Sequence, residues 1–323
     1  MITFTDIRIG SLSSRNRIVM PPMHTGKASG GHVTDDMVSY YRERAVYSRP
    51  GIIITEHSYI ARNGMASETQ LSIAEDEMTD EHRLLTDAIH EGGCFAFAQL
   101  NHAGSNGVCE AVSAGNIANP RAQEPRTPRA LSTAEIRDIE KLYAEAAVQA
   151  VRAGYDGVEL HCAHGYLLNQ FYSPLTNQRS DEFGGCLENR LRFLLETLSL
   201  VRSAVGEKVP VAVRLGGCDY MQGGSTEEDA VEASVILEKA GADLLDISGG
   251  MCGFIVKGLP ETGYFGSMSG KIKKAVSIPV MMTGGVQTAA EAEMLIKEGK
   301  ADLIGIGRAL FRDARCLSET AQL

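Results

Sequence analysis

The sequence has no C-x-x-C pair. Its seven cysteines, Cys94, Cys109, Cys162, Cys186, Cys218, Cys252 and Cys316, are scattered and odd in number. That pattern speaks against a disulfide framework, a zinc knuckle or an iron–sulfur cluster, and it fits a reducing compartment. No run of Lys or Arg occurs either, and the formal net charge is −10 with a pI near 5.4. Phosphate backbones need a basic surface, so a nucleic-acid partner is not expected. The opening Met1-Ile2-Thr3-Phe4-Thr5-Asp6 has no basic region followed by an apolar stretch. No uncharged apolar run of roughly 18 residues occurs to span a bilayer, and the expectation is a cytoplasmic protein without a membrane partner. The first strand is followed by no G-x-G-x-x-G, which removes the main support for a doubly wound open sheet.

What is present is enough apolar material for a large core: 323 residues, 44% of them hydrophobic. Ile7, Ile9 and Leu12 around Gly10-Ser11 suggest a hairpin that plugs one end of the main sheet. Short apolar strands are then expected at Arg17–Pro22, Ile52–Glu56, Phe95–Leu100, Gly157–His161, Val209–Leu215, Asp243–Ser248, Ile278–Thr283 and Leu303–Gly307. Between them lie helical patterns: Asp35–Tyr47, a helix with Thr79 as its N-cap, one opened by the capping box Ser132-Thr133-Ala134-Glu135, and others near Leu191–Val201, Thr226–Gly241, Ile272–Ala275 and Thr288–Glu298. Eight strands alternating with helices, without a linker or composition break, predict a single (β/α)₈ TIM barrel over residues 1–323, with a hairpin floor and loop insertions after strands three, four and six. An open doubly wound sheet is the rival.

Catalytic groups of such barrels stand at the C-terminal ends of strands and in the loops after them. There the sequence places His24 and Thr25, Glu56 and His57, Gln99, His161 and His164, Arg214, Ser248, Gly284-Gly285 and Gly307-Arg308. The loops after strands seven and eight are the usual phosphate site of this architecture. Gly284, Gly285 and Gly307 let backbone approach an anion, and Arg308 can pair with it bidentately. Gln99 can read a heterocycle edge, while Arg214 aimed into the barrel stabilises negative charge such as the N1–C2 carbonyl region of a reduced flavin. Together these fit FMN, with His24 and Glu56 joining the candidate cofactor-binding set.

The densest cluster is Glu159-Leu160-His161-Cys162-Ala163-His164-Gly165-Tyr166. By spacing alone it admits three readings: a metal site of Glu159, His161 and His164 in a lyase or hydrolase, a hydrogen-bonding pair beside a phenol, or buried structural histidines. The metal reading leaves Gln99 and Arg214 unexplained.

With these residues in hand, the chain resembles the Old Yellow Enzyme family of FMN-dependent oxidoreductases over nearly its whole length. The resembling motifs are Asn16–Met23, Ala98–Gly104, His161–Phe171, Ser173–Gly185 and Gly305–Arg308. The resemblance implies that Pro22, Met23, Gln99 and Arg214 contact the isoalloxazine and that Gly284, Gly285, Gly307 and Arg308 hold the FMN phosphate. His161 and His164 would bind the carbonyl oxygen of an α,β-unsaturated substrate, and Tyr166 would protonate its α-carbon; no metal is implied. NADH or NADPH would be the reductant, sharing the substrate's pocket. Two departures stand out. His24 takes the place where many stand-alone members carry Cys or Thr, so Met23-His24-Thr25-Gly26 looks more like the longer dienoyl-CoA reductase branch. The loop Gly249-Gly250-Met251-Cys252-Gly253 lacks the histidine which that branch places after strand six. The chain is thus expected to be either a single-domain ene-reductase or the flavin-binding barrel of a longer enzyme that works in electron transfer. The alkene, the choice of nicotinamide and the oligomeric state, a homo-oligomer included, are left open.

Overall fold

The computed structural model describes residues 1–122, 125–256, 258–259 and 262–318. Eight parallel strands close on themselves: Ile18–Met20, Ile52–Ile54, Phe95–Asn101, Gly157–Cys162, Val211–Cys218, Leu244–Gly249, Val280–Thr283 and Leu303–Gly305. Strand eight pairs with strand one through Ile304↔Ile18 and Gly305↔Val19, which completes the expected barrel. The hairpin pairs Ile7↔Ser14 and Ile9↔Leu12. Its Ile9 is buried in one apolar cluster with Val19, Ile52, Ile54, Phe97, Ala212, Leu244, Met281 and Leu303, so it does form the floor. Gly157 is part of that fit, because a Cβ there would lie 2.5 Å from the Phe97 ring.

The helices adhere closely to their sequence signals. Asp35–Tyr47 is capped by Thr34, and Thr133–Arg152, Glu227–Lys239 and Ala289–Lys297 each begin with a full capping box, at Ser132, Thr226 and Thr288. Each box satisfies backbone N–H groups that the first helical turn leaves without partners. Thr79 is a correction. It is the first residue of the helix Thr79–Glu91 rather than its cap, and its hydroxyl donates to Gln149 Oε1 at 3.1 Å. A 3₁₀ turn, Asp76–Met78, leads into that helix, so chain direction is set before Thr79 is reached.

The insertions after strands three, four and six lie at the C-terminal end of the barrel. The first carries a short parallel pair, Val112–Ser113 with Arg129–Ala130, and the second a six-residue helix, Leu167–Tyr172. Neither was expected from periodicity, because both are too short to show a period. No helix among the described residues is long and apolar enough to cross a membrane.

Candidate active site

Strand register decides which polar groups meet inside the barrel. Gln99 lies beside Glu159, and Arg214 beside both His161 and Asp246. Gln99 Nε2 donates to Glu159 Oε1 at 2.8 Å, and Thr283 Oγ1 donates to Asp246 Oδ1 at 3.2 Å. Arg214 Nε stands 3.1 Å from Asp246 Oδ2, an ion pair without hydrogen-bond alignment. Burial raises both carboxyls above their ordinary range; the charge of Asp246 adds to the shift of Glu159, and Arg214 opposes both shifts. The arginine is only 3% exposed, and its guanidinium makes no hydrogen bond to a described residue. A buried cation in that state is set to meet an acceptor supplied from the cavity.

Above this layer opens a cavity of about 430 Å³, in the size range of small-molecule sites. Its lining brings together Pro22, Met23, His24, Gln99, Arg214, Thr283, Gly285, Gly305, Gly307 and Arg308 with His57, His161, His164, Tyr166 and Phe254. Two glycines of this lining, Gly305 and Gly307, have little room for a side chain. A Cβ on Gly305 would fall 2.1 Å from Thr283 Oγ1, and one on Gly307 would press on Met23 Sδ at 3.2 Å. Arg308 makes no ion pair among the described residues. An Arg214 whose guanidinium makes no aligned hydrogen bond, a glycine-lined cradle and an Arg308 without an ion pair fit a planar, phosphorylated heterocycle such as FMN.

The block His161–Gln170 contributes His161, His164 and Tyr166 to the lining. His164 takes a left-handed backbone with φ of 60°, and Gly165 comes next at 75°. That conformation is costly for a residue with a Cβ and must be held by neighbours. Asn169 Oδ1 accepts the Gly165 N–H at 2.8 Å, and Gln170 Nε2 donates to the Gly165 carbonyl at 2.7 Å. The amides of Leu-Leu-Asn-Gln thus shape the turn that presents both imidazoles and Tyr166. The rings of His161 and His164 are 5.2 Å apart, and those of His161 and Tyr166 5.0 Å. His164 Nε2 lies 2.8 Å from Ser248 Oγ. Burial, with Arg214 adding to it, pushes both imidazoles well below their ordinary pKa, so they are neutral. Burial alone pushes the Tyr166 phenol up to about 12.

The metal reading finds no support in these contacts, since Glu159 is engaged by Gln99 and His164 by Ser248. Two expected cofactor residues stand away from the cavity lining. Glu56 is fully buried behind His24; its Oε2 accepts both the Thr25 N–H, at 2.7 Å, and the Thr25 hydroxyl, and its Oε1 lies 3.6 Å from His24 Nδ1. It therefore shapes the turn that carries His24, and its carboxylate raises that imidazole's pKa. Gly284 lies behind the lining, where a Cβ would meet the Tyr264 and Phe265 rings at 3.2 and 3.3 Å. His57, collected at a strand end but given no role, lines the cavity, as do Arg121, Phe254, Tyr264 and Phe311, which were not singled out. His57 carried a signal, its place at a strand end; the others reach the cavity from loops and helix ends that no local pattern connects to it.

Residues 3–322 match the model of the NADH:flavin oxidoreductase / NADH oxidase family. The chain belongs to this family. It is 37% identical over 330 residues to an NADH oxidase of Thermoanaerobacter brockii, covering 96% of this chain and 49% of that protein. It is 34% identical over 317 residues to an NADPH dehydrogenase of Bacillus subtilis, covering 96% and 91%. The Old Yellow Enzyme homologue of Zymomonas mobilis superposes with a TM-score of 0.85 at 29% identity, over 99% of this chain and 92% of that one. The chain thus spans about half the length of the NADH oxidase and nearly all of the two smaller proteins. Family membership makes FMN the cofactor and agrees with the cradle described above.

Proposed function

We propose that this barrel is an NAD(P)H-dependent ene-reductase that reduces the activated C=C bond of α,β-unsaturated carbonyl compounds. One observation carries the reading: the neutral His161 and His164 and the protonated Tyr166 line the same cavity as Gln99, Arg214, Gly307 and Arg308, the groups that suit a flavin. Pro22, Met23, His24, Gln99 and Arg214 would hold the ring system of FMN, and Gly285, Gly307 and Arg308 its phosphate, with Gly284 shaping the turn behind. FMN, when bound, accepts hydride from NADH or NADPH and delivers it to the substrate's β-carbon.

The remaining work falls to side chains. His161 and His164 donate to the carbonyl oxygen, withdrawing electrons so that the β-carbon becomes electrophilic and the developing enolate is stabilised. His164 can donate from Nδ1 when its Nε2 accepts a hydrogen bond from the Ser248 hydroxyl, an arrangement that the 2.8 Å contact permits. Tyr166 gives its proton to the α-carbon. A phenol held near 12 keeps that proton across the physiological range yet is far more acidic than the carbanion it quenches. The nicotinamide and the alkene would use the one cavity in turn.

The test is direct. Purified protein incubated with FMN should take on flavin absorbance, bleach anaerobically with NADH or NADPH, and recover its colour when an enone is added. A colourless protein sinks the reading. Bleaching without recovery favours a second reading, a flavin barrel that passes electrons within a longer enzyme, which the 49% coverage of the NADH oxidase motivates.

A further inference from the structure

We propose that His57 is an additional ligand-binding residue of this cavity, an Nε2–H donor placed to take a second acceptor oxygen of a ligand whose first carbonyl sits at His161 and His164. The inference rests on the proposed carbonyl site and extends it to the substrate class: cyclic ene-dicarbonyls rather than simple enones.

The tautomer of His57 is set by its neighbours. Gln70 Oε1 accepts the Ala66 N–H at 2.6 Å, which fixes the amide so that Nε2 points to His57. That Nε2 donates to the His57 carbonyl at 3.0 Å and faces Nδ1 at 3.2 Å, while Asn101 Nδ2 faces the same Nδ1 at 3.0 Å. Two amide donors on one ring nitrogen require a lone pair there, so the single proton of the neutral ring is on Nε2, at the opposite edge. His57 is 9% exposed and lines the cavity, and Nε2 has no hydrogen-bond partner among the described residues. The charged and titratable groups around it are Glu56, His24, Arg214, His161, His164 and Tyr166; burial dominates and lowers its pKa to about 4, which keeps the ring neutral.

Placement completes the argument. The His57 ring is 6.1 Å from His161 and 5.2 Å from Tyr166, and His161 is 5.0 Å from Tyr166. The three rings form a triangle, with donors at two corners and the acid at the third. No hydrogen bond joins His57 to Tyr166, so the donor is not spent within the protein. A ligand bridging His161 and His57 needs acceptors on both sides of a small ring, with its alkene carbons beside Tyr166.

The test compares succinimide with 2-pyrrolidinone, a pair that differs by one ring carbonyl, titrated into the oxidised FMN-loaded protein and monitored by flavin absorbance and calorimetry. The protein should bind succinimide at least about tenfold more tightly, the worth of one buried hydrogen bond. His57→Phe should abolish that gap while leaving 2-pyrrolidinone binding within about twofold. Gln70→Leu, which frees the tautomer without touching the ligand, should narrow the gap. A gap absent from the unmodified protein, or intact in His57→Phe, overturns the proposal. If His57→Phe does not fold, the unmodified protein and Gln70→Leu still decide. Failure of the ene-reductase reading would show separately, as flavin that NAD(P)H bleaches but no enone recolours.

Discussion

At the N-terminal end of the barrel interior, Phe97, Ala212, Leu244, Met281 and Leu303 pack against Ile9 of the hairpin. Two residues further along the same strands stand Gln99, Arg214, Asp246, Thr283 and Gly305. A strand returns a side chain to the same face every second residue, so one step of the pleat carries each strand from floor to site. The floor is closed by apolar contact and needs no partners. The layer above it holds two carboxyls, an arginine and an amide, and it is tolerable only because each carboxyl has a partner and Arg214 lies between acids. Stability is concentrated in one layer and chemical tension in the next.

That contrast can be broken at several depths. The largest effect belongs to the site itself. Tyr166→Phe should lower enone turnover by about a thousand-fold, within the range of a lost general acid. Flavin bleaching by NAD(P)H and the melting temperature should barely change, as stopped-flow traces and thermal scans would show. Equal loss in both half-reactions would remove the phenol from its role. Next comes Arg214→Met, which leaves Glu159 and Asp246 without their cation. Breaking a buried pair typically costs about 3–5 kcal/mol. Both carboxyls have raised pKa values, so the loss should be greatest at alkaline pH and smaller in weak acid, where they are protonated. Urea denaturation at two pH values measures this, and FMN affinity should fall as well.

In the floor, Ile54→Ala should cost about 3 kcal/mol, as deletion of a buried aliphatic side chain does, while the pH dependence of stability stays as it was. A floor mutation that altered the pH profile would show that the two layers are not separable. The smallest effect is on slope. Glu159 has a folded pKa raised from 4.5 to about 8, so the native state holds a proton that the unfolded chain releases. Stability should therefore decline as pH rises through that interval and level off above it. Glu159→Gln should flatten this decline; an unchanged slope would place the titrating proton elsewhere.

Much of this molecule was legible in its residues because the relevant signals are local. Eight β-branched or apolar runs, the capping box at Ser132 and the hairpin at Gly10 each act within a few positions of themselves, and the barrel emerged from their alternation. Strand-end placement and the Glu159–Tyr166 cluster brought Gln99, His161, His164, Tyr166, Arg214 and Arg308 into the candidate set, the family resemblance gave them roles, and all six line one cavity. Thr79 misled because a cap is defined by the backbone before it, and the 3₁₀ turn there has no strong sequence signal. Glu56 misled because a carboxylate at a strand end can turn toward the ligand or back toward its own loop; the Thr25 N–H and hydroxyl took it.

By itself, then, the sequence determined the number of barrel strands, the starts of the helices at Asp35, Thr133, Glu227 and Ala289, the glycines of the cradle and the reactive groups, all properties of short windows. Tertiary structure alone decided which way each polar group is spent: Ser248 on His164, Gln99 on Glu159, and Gln70 with Asn101 on His57. The reason is physical. A buried donor or acceptor takes its identity from the partner that satisfies it, and those partners come from strands and loops up to 84 residues away along the chain.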